Sequence, residues 1–196
     1  LIYGIPNFKL EKFVVERRTK LLKDSGIKFV QNFEVGQNKT LNELREIHDS
    51  ILIATGVYKP KEIKVPGEDL KNIFPAMEFL TASNRKGLGD NVELFDNGTL
   101  NAEGKNVVVI GGGDTAMDCV RTAVRQNAKS VKCLYRRDRE NMPGSAREVK
   151  NAIEEGVEFI WLSTPKRFLG KNEVKEVEGN KMTLGEPDSS GRKKPT

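Results

Sequence analysis

The sequence has few cysteine and histidine residues and no long apolar run. It contains two cysteines and one histidine among 196 residues. Cys119 and Cys133 do not form the closely spaced ligand pattern of a metal site or a disulfide scaffold, so we interpret both as buried, small apolar side chains. No apolar run reaches the roughly 18 residues of a membrane helix. The single histidine, His48, is interpreted as a surface or capping residue.

Neither charge nor aromatic residues are concentrated in a way that is typical of a nucleic-acid interface. The 33 basic and 28 acidic residues give a net charge of +5, and both signs are mixed along the chain. A nucleic-acid interface needs a basic stripe with interleaved aromatic residues, whereas most aromatic residues here lie inside apolar runs. With 37% apolar and 31% charged residues, the composition is that of a soluble globular protein. We therefore expect no nucleic-acid or membrane partner.

Both ends of the sequence suggest a piece of a longer protein. The first residues have neither an initiating methionine nor the pattern of a secretory signal, and the final "SSGRKKPT" is polar and forms no closing element. Because no feature marks the sequence for export, a cytoplasmic location is expected.

The first quarter of the sequence alternates helical and strand patterns. Apolar residues at helical spacing predict an amphipathic helix within residues 8–26. Residues 27–36 are typical of one strand or two short ones, and residues 40–49 of a short helix with Thr40 as its N-cap. Residues 50–56 predict a buried strand that ends in a turn. This alternation favours a parallel sheet.

The remainder predicts an extended connector, a helix, a long loop and a second α/β unit. The connector covers residues 57–72, and Pro75 opens the next helix. Residues 86–104, rich in glycine and asparagine, predict a surface loop or a small hairpin. From Lys105 onward strands and helices alternate, and the tail favours antiparallel strands. The predicted fold class is α/β, a Rossmann-like parallel sheet with flanking helices and small antiparallel strands near the C-terminus.

The apolar strand "NVVVI" runs into three glycines and then into a helix. The glycines fit the pattern G-x-G-x-x-A, the turn at which backbone N–H groups and the positive end of a helix approach a pyrophosphate. A tight strand-to-helix turn needs glycine in any case, but the apolar strand before it and small Ala116 after it favour a dinucleotide site. The candidate pyrophosphate ligands are Gly111, Gly112, Gly113, Asp114 and Thr115.

An arginine pair follows the next predicted strand. Proteins that bind NAD place an acidic side chain there, about 20 residues after the glycines, to bind the ribose 2′-hydroxyl. This sequence has Arg136 and Arg137 instead. Because a guanidinium fork suits the oxygens of a phosphate, the pair predicts a preference for NADPH over NADH. The alternative, two solvated arginines at the end of a strand, stays open at this point.

These segments resemble a known family. The stretch "VVVIGGGDTAMDCVRTAVRQNAKSVKCLYRRDRENMPGSAREVKNAIEEGVEF" is similar to the NADPH-binding domain of the small (beta) subunits of NADPH-dependent glutamate synthases. "YGIPNFKLEKFVVERRTKLLKDSGIKF" and "ILIATGVYKPKEIKVPGED" resemble the segment of the FAD domain that precedes it. The likeness covers nearly all of residues 2–165 and is weaker in residues 86–104 and in the tail.

The resemblance implies a flavoprotein with two dinucleotide-binding domains. NADPH would pass a hydride to FAD, and electrons would leave through iron–sulfur clusters to a large subunit that forms glutamate from 2-oxoglutarate and glutamine-derived ammonia. The glycine turn would then bind the NADPH pyrophosphate, and Arg136 and Arg137 the 2′-phosphate. Ala54, Thr55 and Gly56 match a turn that packs near FAD, although the residues alone are equally those of an ordinary strand exit.

The resemblance also implies a division of the sequence and a missing part. Residues 1–58 would be a partial FAD-binding segment, 59–104 a connector with a helix and a long loop, and 105–196 the NADPH-binding Rossmann domain. The glycine fingerprint for FAD and the cysteine clusters for iron–sulfur centres are absent, so this piece is expected to be inactive alone. Because the hydride chemistry belongs to the cofactors, we nominate no catalytic residue and no metal ligand.

Two other functions fit the same residues. One is a related NADPH–flavin subunit with another acceptor, such as a ferredoxin–NADP reductase or a sulfide dehydrogenase. The other is a non-catalytic module that senses NADP(H), with residues 86–104 as its switch.

Overall fold

The computed structural model describes residues 1–56 and 62–196. They divide into two compact units, one formed by Leu1–Lys12 with Glu62–Thr196 and the other by Phe13–Lys61. The helices in the described residues are α1 (Lys12–Asp24), α2 (Leu41–Ile47), α3 (Ala76–Gly87), α4 (Glu93–Asp96), α5 (Asp114–Arg125) and α6 (Ala146–Glu154). The strands are β1 (Asn106–Ile110), β2 (Ser130–Leu134), β3 (Glu158–Ile160), β4 (Ser163–Leu169), β5 (Glu176–Lys181), β6 (Leu184–Pro187) and β7 (Lys193–Pro195). Within this described part, none of the helices has the length and apolar character that crossing a bilayer requires.

The unit Phe13–Lys61 contains the two predicted helices. α1 lies within the predicted range, and the chain leaves it through Gly26, whose φ of +91° favours glycine. α2 begins after Thr40 as predicted, with a capping box. The Thr40 hydroxyl accepts from the Glu43 N–H at 3.2 Å, and the Glu43 carboxylate accepts from the Thr40 N–H at 2.8 Å.

The strands predicted for this unit are wrong. In place of strands at 27–36 the described residues have a single bridge between Val35 and Lys39, and residues 50–56 lie in irregular, exposed chain. Leu52 is 90% exposed. An apolar run forms a parallel strand only when neighbouring strands bond its backbone, and the described residues of this unit supply none. The predicted connector and the boundary at residue 58 lie partly outside the described residues.

The larger unit contains the predicted Rossmann-like sheet. β1, β2 and β3 are parallel and adjacent in that order, with α5 packed on β1 and β2 and α6 packed on α5. Apolar residues of α5 face the sheet, and the side chains of Met117 and Val120 are fully buried. Each such side chain stabilises the fold by about 1.5–3 kcal/mol. The core consists of Ala102, Ala116, Met117, Val120, Ala123, Val131, Cys133, Val149, Ala152 and Val157.

The segment between α3 and β1 is more ordered than its glycine content predicts. α3 continues to Gly87, α4 follows within the predicted loop, and the described residues there form no hairpin, so that part of the prediction is wrong. Leu100 and Ala102 are buried, and the Ala102 N–H donates to the Gln126 side chain at 2.8 Å. The buried side chains of Leu100 and Ala102, together with this hydrogen bond, attach the segment to the rest of the larger unit.

The C-terminal tail forms the predicted antiparallel strands. β4 pairs with β5, and β6 pairs with β7. The fold class predicted from the sequence is therefore confirmed for the sheet unit and its tail.

Residues 1–12 pack on α5 and α6 through a charged cluster. The Phe8 ring lies 3.9 Å from the Arg125 guanidinium carbon and 4.7 Å from that of Arg121. Lys9 donates to Asp118 at 2.9 Å. Burial raises the pKa of Asp118, although its bond with Lys9 opposes that shift. Arg121, itself buried, reaches Glu148 at 2.6 Å.

Glu155 is the anion that both arginines of this cluster share. It accepts from Arg121 at 2.8 Å and from Arg125 at 2.5 Å. Burial alone would raise its pKa, but the hydrogen bonds from Arg125 and Arg121 outweigh it and lower the pKa of Glu155 to about 2. A carboxylate with a lowered pKa stabilises the fold above its unfolded pKa and loses that contribution as the pH falls.

We therefore predict that the free energy of unfolding decreases between about pH 4.5 and pH 2, and that Glu155→Gln flattens this decrease because the amide does not titrate. The measurement is urea unfolding at a series of pH values. Glu154→Gln is the matched control, since Glu154 makes only an exposed pair with Lys150 on the same helix. Parallel curves for Glu155→Gln and the unmutated chain would contradict the prediction.

Candidate nucleotide-binding site

The sheet places the glycine turn and the arginine pair at the same edge. Ile110, the last residue of β1, lies opposite Leu134, the last residue of β2. The Gly111 N–H extends this pairing by donating to the Leu134 carbonyl at 3.1 Å. The carboxyl ends of parallel strands meet at one edge of a sheet. The glycine turn begins directly after β1 and Arg136 lies two residues after β2, so both are at this edge.

The turn requires glycine at two positions for different reasons. Gly111 has φ +151°, a backbone conformation that other residues rarely adopt, and a side chain there would contact the Ala116 methyl at 3.4 Å. At Gly112 a Cβ would overlap the Tyr135 ring. The small residue at position 116 and the bare backbone at 112 therefore let the turn lie close to both the helix and β2.

The amino end of α5 faces open space. Gly113 is its N-cap and has no side chain to bond the first turn, and a Cβ built at Gly113 meets nothing within 4 Å. Across residues 1–56 and 62–196, the N–H groups of residues 112–115 have no hydrogen-bond acceptor. Unpaired N–H groups at the positive end of a helix form an anion site. This is the arrangement that a pyrophosphate requires.

Asp114 and Thr115, predicted as pyrophosphate ligands, are both exposed at this helix end. The Asp114 carboxylate accepts from the Ser145 N–H at 2.9 Å, just before α6. The Gly144 N–H donates to the Gly112 carbonyl at 2.9 Å. Loop 142–145 is thus bonded both to the glycine turn and to the first residue of α5. The Asp114 carboxylate holds this loop through the Ser145 N–H.

The two arginines of the pair have opposite environments. Arg136 is exposed, and its guanidinium has no hydrogen-bond or ion-pair partner among the described residues. Arg137 is 3% exposed, and its Nε donates to the Lys193 carbonyl at 2.7 Å while Nη2 pairs with Asp188. Arg136 is free to bind a phosphate, whereas Arg137 is already neutralised.

The loop after the pair is fixed by residues that the sequence analysis did not identify. The Tyr135 hydroxyl donates to the Asn141 carbonyl at 3.2 Å, and the Asn141 side-chain oxygen accepts from the Lys193 N–H at 2.7 Å. The Asn141 side chain also donates to Asp138, which lowers the pKa of Asp138. The spacing of Asp138 and Asn141 is the one local signal that could have indicated this turn.

The third predicted group is in a different unit of the chain. Ala54, Thr55 and Gly56 belong to the other unit, where they are exposed and outside any helix or strand. As ligands of a flavin they stay a prediction.

The two cysteines are inert in the fold. Both are buried, and burial raises the pKa of Cys119 and of Cys133 to about 12. The described residues contain no cluster of three or more His, Cys, Asp or Glu side chains that could bind a metal ion.

The chain is similar to known proteins over most of its length. The chain matches the model of the pyridine nucleotide-disulphide oxidoreductase family over residues 8–188. It is 60% identical over 195 residues to the glutamate synthase [NADPH] small chain of Azospirillum brasilense, covering 100% of this chain and 40% of that protein. The corresponding small chain of Escherichia coli (strain K12) is 46% identical over 196 residues, with 99% and 41% covered. The chain thus spans about two fifths of the length of these curated relatives.

Two further proteins extend the comparison. The putative oxidoreductase AegA of Escherichia coli (strain K12) is 44% identical over 198 residues, covering 100% of this chain and 30% of that protein. The solved structure of Mycobacterium tuberculosis FprA in complex with NADPH has a TM-score of 0.78 at 18% identity, covering 100% of this chain and 57% of that chain. At that identity the likeness shows the fold alone.

The open space at Gly113 gives a prediction that separates folding from binding. Gly113 has φ −92° and ψ 176°, which any residue adopts, so Gly113→Ala is expected to change the free energy of unfolding by less than about 1 kcal/mol. The added methyl group, however, enters the space through which a phosphate approaches the helix. We expect at least a tenfold loss of NADPH affinity, measured by calorimetric titration beside urea unfolding.

Gly87→Ala is the control, because Gly87 also faces open space but lies at the end of α3. Unchanged NADPH affinity in Gly113→Ala would show that no phosphate binds at this helix end.

Proposed function

Because this chain belongs to the pyridine nucleotide-disulphide oxidoreductase family, we propose that it is the NADPH-binding part of a flavin-dependent oxidoreductase of the glutamate synthase small-chain type. In the whole protein a hydride passes from NADPH to FAD, and the electrons go on through iron–sulfur clusters to the formation of glutamate from 2-oxoglutarate and glutamine. The observation that carries the proposal is the glycine turn at the open end of α5, whose N–H groups find no acceptor among the residues that the structure describes.

The residues of the turn and of the β2 edge fit NADPH. The N–H groups of residues 112–115 bind the pyrophosphate, and the exposed Arg136 binds the 2′-phosphate. The two subsites follow neighbouring parallel strands, as the 5′-pyrophosphate and the 2′-phosphate of one adenosine ribose require. NADPH supplies the hydride when bound, and this chain supplies its position and its charge complement. FprA, whose fold this chain shares, was solved with NADPH bound, and that supports the same cofactor here.

The described residues do not by themselves fit the other two cofactors. An iron–sulfur cluster needs about four cysteine ligands, and this sequence has two, both buried. For FAD, the candidate turn at residues 54–56 is exposed and irregular. In the proposed protein these cofactors bind chiefly to residues beyond this sequence, since its relatives are more than twice as long. Residues 1–58 then belong to the FAD domain and 105–196 to the NADPH domain, joined by 59–104.

The partner of the proposed protein is a glutamate synthase large subunit, and its location is the cytoplasm. The partner is inferred from relatives that are named small chains. The net charge of +5 and the mixed surface charges are compatible with a protein partner.

The main competing function is electron transfer from NADPH to an acceptor other than glutamate synthase. In that case the chain belongs to a related NADPH–flavin protein with a different electron acceptor, and the similarity to AegA, a putative oxidoreductase that is not named as a glutamate synthase chain, is the observation that keeps this function as the second candidate. The two are separated by mixing the native full-length protein, NADPH and FAD with a glutamate synthase large subunit. Glutamate formation from 2-oxoglutarate and glutamine supports the first function. Flavin reduction by NADPH without glutamate formation supports the second, and no flavin reduction would contradict both.

The free guanidinium of Arg136 gives a specific prediction. Arg136→Gln should lower NADPH affinity about tenfold or more and leave NADH affinity unchanged, because one charge-assisted hydrogen bond contributes roughly 1.5–3 kcal/mol. The ratio of the two dissociation constants, measured by titration of the native full-length protein, is the readout.

Arg139→Gln is the matched control, since Arg139 is exposed three residues further along the same loop. Equal affinities for NADPH and NADH in the unmutated protein would refute the assignment of Arg136.

A further inference from the structure

The side chain of Arg137 is enclosed by the β6–β7 hairpin. Its Nε donates to the carbonyl of Lys193, the first residue of β7, at 2.7 Å. Its Nη2 pairs with Asp188, which follows β6 directly. The arginine side chain is 4% exposed and that of Asp188 27%. The guanidinium that the sequence places beside Arg136 therefore already has an anion, 51 residues further along the chain.

The hairpin holds Asp188 in place independently of Arg137. One carboxylate oxygen of Asp188 accepts from the Ser190 N–H at 2.9 Å, and the other carboxylate oxygen pairs with Arg137. The Asp188 N–H donates to the Arg192 carbonyl, and the Gly191 N–H to the Asp188 carbonyl, both at 2.8 Å. The bonds from Ser190 and the charge of Arg137 lower the pKa of Asp188, so its carboxylate is ionised at neutral pH. A fixed negative charge thus lies on one of the two arginines.

A carboxylate and a phosphate bind a guanidinium in the same way. Both present a pair of oxygens to the planar fork of N–H donors, and only one of them can occupy a given edge of the guanidinium. Arg137 is buried and is neutralised by the partly exposed Asp188, whereas Arg136 is exposed and unpaired among the described residues. The two arginines cannot contribute equally to an incoming phosphate.

We propose that Asp188 is a specificity-determining residue, which occupies Arg137 in place of a phosphate and leaves Arg136 alone to bind the 2′-phosphate of the nucleotide. The inference rests on the proposed NADPH-binding function and deepens it. Asp188 limits the preference for the phosphorylated nucleotide to what one arginine supplies. Removing its charge makes Arg137 a second attractive charge beside Arg136.

The contacts also allow a purely structural role, in which Arg137 only attaches the hairpin to the end of β2. The two roles predict different ratios of nucleotide affinities. An attachment that is weakened changes NADPH and NADH binding alike. A carboxylate that competes with a phosphate changes NADPH binding alone, because NADH has a hydroxyl group at that position.

The test is titration of the native full-length protein with NADPH and NADH, in which the ratio of the two dissociation constants is compared between variants. Asp188→Asn keeps the acceptor for Ser190 and removes the charge. We expect it to tighten NADPH binding about tenfold, which is the contribution of one charge-assisted hydrogen bond, and to leave NADH binding unchanged. An unchanged or reduced preference for NADPH would overturn the proposal.

Two further variants keep the test decisive. Arg137→Gln with Asp188→Asn replaces the ion pair by a neutral hydrogen-bonded pair and should give the ratio of the unmutated protein. A tenfold lower preference in that double variant would show that Arg137 binds the phosphate, and would overturn the proposal even if Asp188→Asn alone did not fold. Glu186→Gln removes the same charge from an exposed position on β6. A gain in Glu186→Gln equal to that in Asp188→Asn would mean a general charge effect and would also overturn it.

Failure of this inference is distinguishable from failure of the proposed function. If the unmutated protein does not prefer NADPH, or Arg136→Gln does not remove the preference, the proposed NADPH site is wrong. If Arg136→Gln removes the preference while Asp188→Asn leaves it unchanged, the NADPH site stands and only the role of Asp188 is wrong.

Discussion

The contact between the Tyr135 ring and the bare backbone of Gly112 is the constraint on which the candidate site depends. Because no side chain separates them, the turn after β1 lies directly against the end of β2, and loop 142–145 bonds to both Gly112 and Asp114. The turn is thereby fixed from two sides, while in the described part of the chain the first N–H groups of α5 have no acceptors. A helix end that is rigid and unpaired can bind an anion without first rearranging, and this is the physical basis for a pyrophosphate site.

Charge is used for two different purposes around α5. On its flank, Arg121 and Arg125 pair with Glu155, Arg121 pairs also with Glu148, and Phe8 covers both arginines, so these charges attach residues 1–12 to the sheet unit. At the sheet edge, Arg137 is neutralised by the hairpin, whereas Arg136 is left unpaired among the described residues. A buried pair contributes order, and an exposed single charge contributes attraction for a ligand. Of the two arginines after β2, Arg136 is therefore the one whose charge is available to a ligand among the described residues.

The sheet unit could be predicted from the sequence because its signals are local. The apolar run of β1, the glycines and the small residues of α5 lie within 20 residues and determine strand, turn and helix directly. The strand predicted at residues 50–56 failed because burial depends on neighbouring strands, which a local apolar pattern cannot supply. The ion pair between Arg137 and Asp188 could not be predicted either, since Asp188 is 51 residues away and the sequence of the tail contains no pattern that indicates it. Adjacent arginines look equivalent in sequence and differ only once the hairpin is in place.

The burial of Cys119 and Cys133 has a practical consequence. Both thiols are buried, Cys119 on α5 and Cys133 on β2, and burial raises the pKa of each to about 12. The Cys133 sulfur lies 3.3 Å from the Gly111 carbonyl oxygen of the glycine turn. A thiol reagent attacks the thiolate and needs access to it, so neither cysteine reacts while the sheet unit is closed. Their rate of alkylation therefore reports how often this unit opens, and a nucleotide that binds the closed form slows that rate. The two cysteines can therefore be used to measure the opening of the sheet unit without adding a label.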